Sequence, residues 1–187
     1  QDFGAWTIEP DLIVQSPPHT VPAEASDWWG DYIVPSGLEN DRYIRAIQTK
    51  AGNLRVVHHA LTYAVTDPDA PSSDSSGDAF LNEYAVGKNG DVYPDGSGRL
   101  FEAGSRVRFS FHYHSVGEEV TDQTELGMVL YPEGYEPDHI LYSRQLGNAG
   151  ELDIPAGQVT RHDGYQKMYL PGKLTAFQPH MHFLGTR

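Results

Sequence analysis

The chain of 187 residues carries a formal net charge of −13 and contains nine histidines but no cysteine. This length suits one domain, or one domain and part of a second, and a chain of this size can bury a core without a disulfide or metal staple. The absence of cysteine excludes disulfides, thiolate nucleophiles and cysteine-based metal sites. The acidic balance argues against nucleic acid and anionic membrane surfaces as partners, because both are recognised by basic patches.

Membrane insertion is also not expected, because no apolar run approaches the ~20 residues of a spanning helix. The sequence begins at Gln1 without a charged and apolar leader, so we expect any signal peptide to have been removed or to lie upstream.

The pattern along the chain predicts an all-β, antiparallel sandwich. Nineteen glycines, 13 prolines and 11 tyrosines suit a turn-rich β protein. Residues 1–40 contain five prolines and are expected to form an irregular arm, anchored by Trp28 and Trp29. The polar segment 67–78 is expected to be a solvated loop rather than a calcium site, and 87–98 to be a glycine-rich loop. Strands are predicted at 43–48, 55–66, 105–114, 125–131, 139–145, 166–170 and 174–183.

Six of the nine histidines fall in three clusters on these predicted strands. The clusters are His58-His59, His112-Tyr113-His114 and His180-Met181-His182. A single histidine is usually an ordinary hydrogen-bonded residue, and His19, His139 and His162 are interpreted as surface or loop residues of this kind. Three clusters on three strands favour metal binding instead, and imidazole ligands without thiolates favour copper or zinc.

The strand predicted at 105–114 shows on which face of a strand such a cluster lies. Residues i and i+2 share one face of a strand, so Val107, Phe109, Phe111 and Tyr113 are predicted to face the core. The opposite face then carries His112 and His114, roughly 7 Å apart at their Cα atoms, together with Arg106 and Arg108. We expect the two arginines to lie on a solvated face rather than to bind a substrate carboxylate.

The other two clusters differ in geometry. His180 and His182 share a face and form a chelating pair, whereas Met181 points the other way. His58 and His59 point to opposite faces of a regular strand. Both could bind one metal only with a local twist or through different ring nitrogens.

These motifs resemble those of the copper type II, ascorbate-dependent monooxygenases, the family of peptidylglycine α-hydroxylating and dopamine β-monooxygenase. The matching segments are LRVVHHAL at 54–61, FSFHYH at 109–114, IPAG at 154–157, YQKMY at 165–169 and FQPHMHFLG at 177–185. They occur in the family's order across about residues 40–187. The start at 6–10 and the PHMHxxG form look most like the bacterial branch.

The resemblance implies two jelly-roll β-sandwich domains with one copper each, and a secreted or periplasmic protein. The first copper, for electron transfer, would bind His58, His59 and His112; His112 is preferred to His114 because the family ligand precedes tyrosine, although strand geometry allows either. The second, for oxygen activation, would bind His180, His182 and a later methionine. The reaction implied is hydroxylation of a C–H bond, with ascorbate or another one-electron donor, on an unidentified small-molecule or peptide substrate.

Two departures from the family qualify this interpretation. The animal enzymes are disulfide-rich and this chain has no cysteine, and no methionine follows His182 before Arg187. The expected organisation is an irregular arm at 1–40, a copper-binding sandwich at 41–170 and the first strand of a second, truncated sandwich at 171–187. Further domains or subunits would complete the second sandwich.

Two other functions remain open from the sequence. One is a non-catalytic copper-binding or structural subunit of a larger extracellular assembly, because fold does not fix function. The other is a zinc hydrolase, which would need a carboxylate as general base, and no aspartate or glutamate adjoins the clusters in the sequence.

Overall fold

The computed structural model describes residues 4–66, 79–144, 152–165 and 167–179. Within these ranges the chain is all β and forms no helix, and hence none that could span a membrane. The strands are β1 Leu12–Gln15, β2 His19–Val21, β3 Trp28–Pro35, β4 Arg42–Lys50, β5 Val57–Val65, β6 Ala79–Ala85, β7 Asp91–Val92, β8 Ser97–Phe101, β9 Arg106–Tyr113, β10 Val120–Asp122, β11 Glu125–Leu130 and β12 His139–Ile140.

The chain divides into two compact units, and all twelve strands belong to the first, Gln1–Ser143. One sheet has the order β1-β11-β4-β8-β12, with β7 against β4 and with β12 parallel to β8. The second sheet has the antiparallel order β3-β9-β5-β6, and β2 pairs with β10. The all-β sandwich class predicted from the sequence is therefore confirmed, whereas the jelly-roll topology stays a prediction.

The core lies between the two large sheets and is filled by the inward faces of their strands. From β9 it takes every second residue, and each of these four side chains is at most 1% exposed. They are Val107, Phe109, Phe111 and Tyr113. Burial of such a side chain stabilises the fold by about 1.5–3 kcal/mol. Because these apolar residues alternate along β9, they lie on one face, and that face packs inward.

Residues 1–40 are more ordered than the sequence indicated, because they contribute β1, β2 and β3 rather than an irregular arm. β3 pairs with β9 along its whole length, from Trp28 opposite Tyr113 to Pro35 opposite Arg106. The prolines fall between strands or at the end of β3, where a missing N–H donor is tolerated. The proline content therefore marks the ends of these strands instead of preventing them.

Other boundaries also differ from the predictions. The expected glycine-rich loop at 87–98 contains β7 and the start of β8, and the strand expected at 139–145 ends at Ile140. β6 and β10 were not predicted. Among the described residues of 166–170 and 174–183 there is no strand, because alternation alone does not form a strand without a neighbour to take its backbone hydrogen bonds.

The second unit, Arg144–Arg187, is exposed wherever it is described. The turn predicted at 155–157 is present: the Gln158 N–H donates to the Pro155 carbonyl at 3.2 Å, and Gly157 has a φ of 73°. That positive φ suits glycine at the third position of a type II turn. Assignment of 171–187 to a second sandwich stays a prediction.

Candidate metal centre

Three of the predicted ligands come together where β5 begins and β9 ends. His58 and His59 lie on β5, and His112 lies on the adjacent strand β9. One ring nitrogen from each of the three lies within 4.8 Å of the other two. Such a cluster of imidazoles offers the ligands that copper and zinc take in proteins.

A β-bulge explains how two consecutive histidines reach the same point. Val57 is opposite Tyr113, but the next paired residue of β5 is His59, opposite His112, so His58 is the extra residue of the bulge. A bulge bends its strand and redirects a side chain that regular pleating would send to the other face. The Nδ1 atoms of His58 and His59 are consequently only 3.1 Å apart.

His112 is the most buried member, at 8% exposure. Its Nε2 lies 2.7 Å from the Oδ2 of Asp27, and its Nδ1 is buried without a hydrogen-bond partner among the described residues. An unsatisfied buried nitrogen costs about 1–3 kcal/mol, and a metal ligand bond would remove that cost. The donor chemistry and this orphaned nitrogen both fit a metal ion.

Trp29 forms one wall of the cluster. It lies opposite His112 across the β3–β9 pair and stacks on that ring with a centroid distance of 3.7 Å and an interplanar angle of 14°. Its edge also meets His59, at 5.4 Å between centroids. The indole is 62% exposed, so it shields the histidines on one side while remaining accessible itself.

The electrostatics around His58 favour its neutral imidazole. Partial burial lowers the pKa of His58 below its ordinary value, and the neighbouring His112 and His114 lower it further, with Asp27 acting in the opposite direction. A neutral ring keeps the lone pair that a metal requires, whereas a protonated ring cannot bind one. His58 is therefore ready to act as a ligand at neutral pH.

His114, the alternative to His112, lies just beyond the end of β9 and outside the group of three. Its ring centroid is 6.3 Å from that of His58, and its backbone N–H donates to the Val56 carbonyl at 3.0 Å. Its Nδ1 is also buried without a hydrogen-bond partner among the described residues. The structure thus brings His112 to the pair on β5 and leaves His114 at its margin.

The predicted second copper site, His180 and His182, lies outside the described residues and stays a prediction. His139 and His162 are exposed, as expected. His19, expected on the surface or in a loop, instead lies half-buried in β2. Its Nδ1 is 2.8 Å from the Tyr32 hydroxyl, and it stacks on Tyr113 at 4.6 Å between centroids.

The prediction of a solvated face for the arginines of β9 is wrong for Arg108, which is 2% exposed. Its guanidinium lies 3.3 Å from the Asp31 carboxylate and 4.2 Å from the centre of the Tyr63 ring. The neighbouring strands β3 and β5 supply these contacts. Arg106 is half-buried beside β3, so it is not fully solvated either. Side chains from the flanking strands therefore cover part of the face that turns away from the core.

Sequence reasoning missed Asp27 and did not connect Trp29 with the metal cluster. The pairing of β3 with β9 brings both residues to His112. Asp27 and His112 are 85 residues apart in the sequence. The alternation in WWGDYIVP was the available signal for β3. It would have placed Trp29 and Asp31 on one face, but not beside a particular partner strand.

Comparison with known proteins adds no family assignment. No protein-family model matches the chain, and no curated protein is detectably similar to it. The resemblance to copper monooxygenases therefore rests on the sequence motifs alone and stays a prediction.

Proposed function

We propose that His58, His59 and His112 bind a copper ion and that the chain is the electron-transferring N-terminal part of a copper-dependent monooxygenase. The observation that carries the proposal is the convergence of one nitrogen from each histidine within 4.8 Å at a β-bulge. Three imidazoles without a thiolate suit copper or zinc, and divalent copper binds such nitrogen sites more tightly than zinc does. The order of the sequence motifs also favours copper, because it resembles the order in the copper monooxygenases.

The residues of the cluster would have different roles in a copper centre. A bound copper ion would supply one-electron chemistry. His112 is fixed by Asp27 and by the stacked indole of Trp29, so its ring needs little reorganisation when a ligand bond forms. His58 is exposed, which leaves the cluster open to solvent and to an electron donor such as ascorbate on that side.

Metal binding is tested by titrating the protein with copper against a competing chelator. We expect His59→Ala and His112→Ala to weaken the first site by roughly 100-fold or more, because each removes one of three ligands. His139→Ala is the matched control, since His139 is an exposed histidine of the same unit on β12. Unchanged affinity in both ligand variants contradicts the proposal.

Hydroxylation is a separate claim, tested on the natural full-length gene product. Oxygen consumption that requires ascorbate or another one-electron donor, and that His112→Ala abolishes, supports a monooxygenase acting on a small molecule or peptide. Tight copper binding without oxygen consumption supports the other copper function, a non-catalytic subunit of an extracellular assembly.

A zinc hydrolase gains no support from the carboxylate that the structure places at the site. Asp27 lies beside the cluster, and its Oδ2 is hydrogen-bonded to His112, so the contact that the structure shows orients a ligand and does not involve a water. Metal analysis of the protein as isolated distinguishes the two metals: zinc in place of copper would contradict the copper proposal.

A further inference from the structure

We infer that Asp27 is a positioning residue of this metal centre, which accepts the Nε2–H of His112 and so leaves Nδ1 as the ligand atom. The inference deepens the proposed function, on which its metal-binding part rests. It assigns a role to a residue of the N-terminal segment, which the sequence had indicated to be an irregular arm.

The hydrogen bond between the two residues is short and specific. Asp27 Oδ2 lies 2.7 Å from His112 Nε2. The Asp27 side chain is 54% exposed and that of His112 only 10%, so the carboxylate approaches the ring from the solvent side. A carboxylate accepts and cannot donate when ionised, and it therefore favours the tautomer that carries the proton on Nε2.

The remaining nitrogen of His112 is in the right state for a metal. Its Nδ1 is buried, has no hydrogen-bond partner among the described residues, and would carry a lone pair in this tautomer. The Nδ1 atoms of His58 and His59 already face each other at 3.1 Å. Nδ1 is therefore the nitrogen of His112 that remains for a metal ion held together with this pair.

Asp27 also selects the orientation of the ring and not only its tautomer. A half-turn of the imidazole about its Cβ–Cγ bond would replace Nε2 by a carbon at the carboxylate and replace Nδ1 by a carbon at the cluster. Trp29 holds the plane of the ring by stacking, but stacking does not distinguish the two orientations. The hydrogen bond to Asp27 does, and carboxylates that orient metal-bound histidines in this way typically change metal affinity by 10–100-fold.

The first experiment reads the tautomer in the metal-free protein by long-range ¹H–¹⁵N NMR correlations of the histidine rings. We expect His112 to be the Nε2–H tautomer in the wild type and in Asp27→Asn, whose amide oxygen still accepts. Asp27→Leu removes the acceptor, so the His112 Nε2–H should exchange with solvent faster and the ring should show a second orientation. The Nδ1–H tautomer in the wild type, or an unchanged exchange rate and a single ring orientation in Asp27→Leu, overturns the inference.

The second experiment measures zinc and copper affinity of the same variants by chelator competition. We expect Asp27→Leu to bind each metal about 10–100-fold more weakly, and Asp27→Asn to lose less. Glu24→Gln is the control for loss of a negative charge from the same exposed segment. Wild-type affinity in Asp27→Leu overturns the inference, and thermal unfolding of each variant verifies that it is folded, with Asp27→Ala as a second variant that lacks the acceptor.

The two experiments separate failure of the inference from failure of the proposed function. If the wild type binds neither metal at the cluster, the proposed function is wrong, and the NMR result alone still decides whether Asp27 holds the His112 ring through Nε2–H. If the wild type binds metal and the NMR signals of His112 do not depend on Asp27, the proposed function stands and the inference is wrong.

Discussion

The two faces of the β3–β9 pair carry aromatic and histidine side chains in adjacent positions, but they use them differently. Trp28 lies opposite Tyr113 on the inner face, and Trp29 lies opposite His112 on the outer face. Inside, Trp28 packs against His19 at 4.3 Å between centroids, and His19 stacks on Tyr113. Outside, Trp29 stacks on His112 beside two further histidines.

The difference lies in what the imidazole nitrogens contact. The Nδ1 of His19 is hydrogen-bonded to Tyr32, which is what a histidine packed against a core requires. The Nδ1 of His112 is buried without a hydrogen-bond partner among the described residues, and His112 belongs to the group of three histidines. A structural histidine and a candidate ligand can therefore lie on opposite faces of the β3–β9 pair, and these two differ in whether their Nδ1 has a hydrogen-bond partner.

The largest effect on the free energy of unfolding should come from truncating a side chain on the inner face. Tyr113 is 1% exposed, and its hydroxyl donates to Asp122 at 2.7 Å. We expect Tyr113→Ala to lower the free energy of unfolding by about 3–5 kcal/mol, because it leaves a cavity and removes one of the donors to the buried Asp122 carboxylate. Trp29→Ala on the outer face should cost less than about 1 kcal/mol, since that indole is mostly exposed. Urea denaturation measures both, and equal losses would contradict the distinction between the faces.

Metal should stabilise the protein through the outer face only. At a free copper or zinc concentration of about 100 times Kd, binding should raise the free energy of unfolding by about 2.7 kcal/mol. His112→Ala should reduce this gain to about 0.4 kcal/mol or less at that concentration, because a 100-fold larger Kd then equals the metal concentration. His19→Gln should keep it, because His19 has no place in the cluster. Thermal unfolding with and without metal tests the contrast, and a gain of wild-type size in His112→Ala would contradict it.

Acid should destabilise the metal-free protein through histidines on both faces. Burial lowers the pKa of His19, and burial together with neighbouring histidines lowers that of His58. As the pH falls below the ordinary pKa near 6.5, the unfolded chain takes up protons before these folded residues do, so stability is lost from that point down to their folded pKa.

Substitution of His19 should reduce this dependence on pH. We expect the stability of His19→Gln to fall less between pH 7.5 and 5.5 than that of the wild type, because glutamine does not titrate. Urea midpoints at several pH values measure the difference. Parallel curves for the two proteins would show that His19 has the same pKa in the folded and unfolded states.

The smallest effect on the cluster is expected at its margin. His114 lies 6.3 Å from His58 between ring centroids and outside the group of three. We expect His114→Ala to change copper affinity by less than about threefold, or about 0.6 kcal/mol. Chelator competition beside His112→Ala provides the comparison. A loss as large as that of His112→Ala would make His114 a ligand.

The sequence predicted the parts of the fold and site that depend on local patterns. The alternation of β9 indicated its four core residues. The clustering of histidines indicated His58, His59 and either His112 or His114, and the family resemblance preferred His112. The bulge at His58 was not predictable, because it depends on how β5 pairs with β9. Asp27 was not predictable either, because its contact with His112, 85 residues away in the sequence, depends on the pairing of β3 with β9.

The central claim is that three imidazoles bind one copper ion, and counting them tests it most directly. The count comes from pulsed electron paramagnetic resonance of the protein loaded with substoichiometric divalent copper. The account predicts three coordinated imidazoles in the wild type, and fewer, at much lower affinity, in His59→Ala and His112→Ala. The same count and affinity in the wild type and both variants would contradict it, because copper would then bind elsewhere.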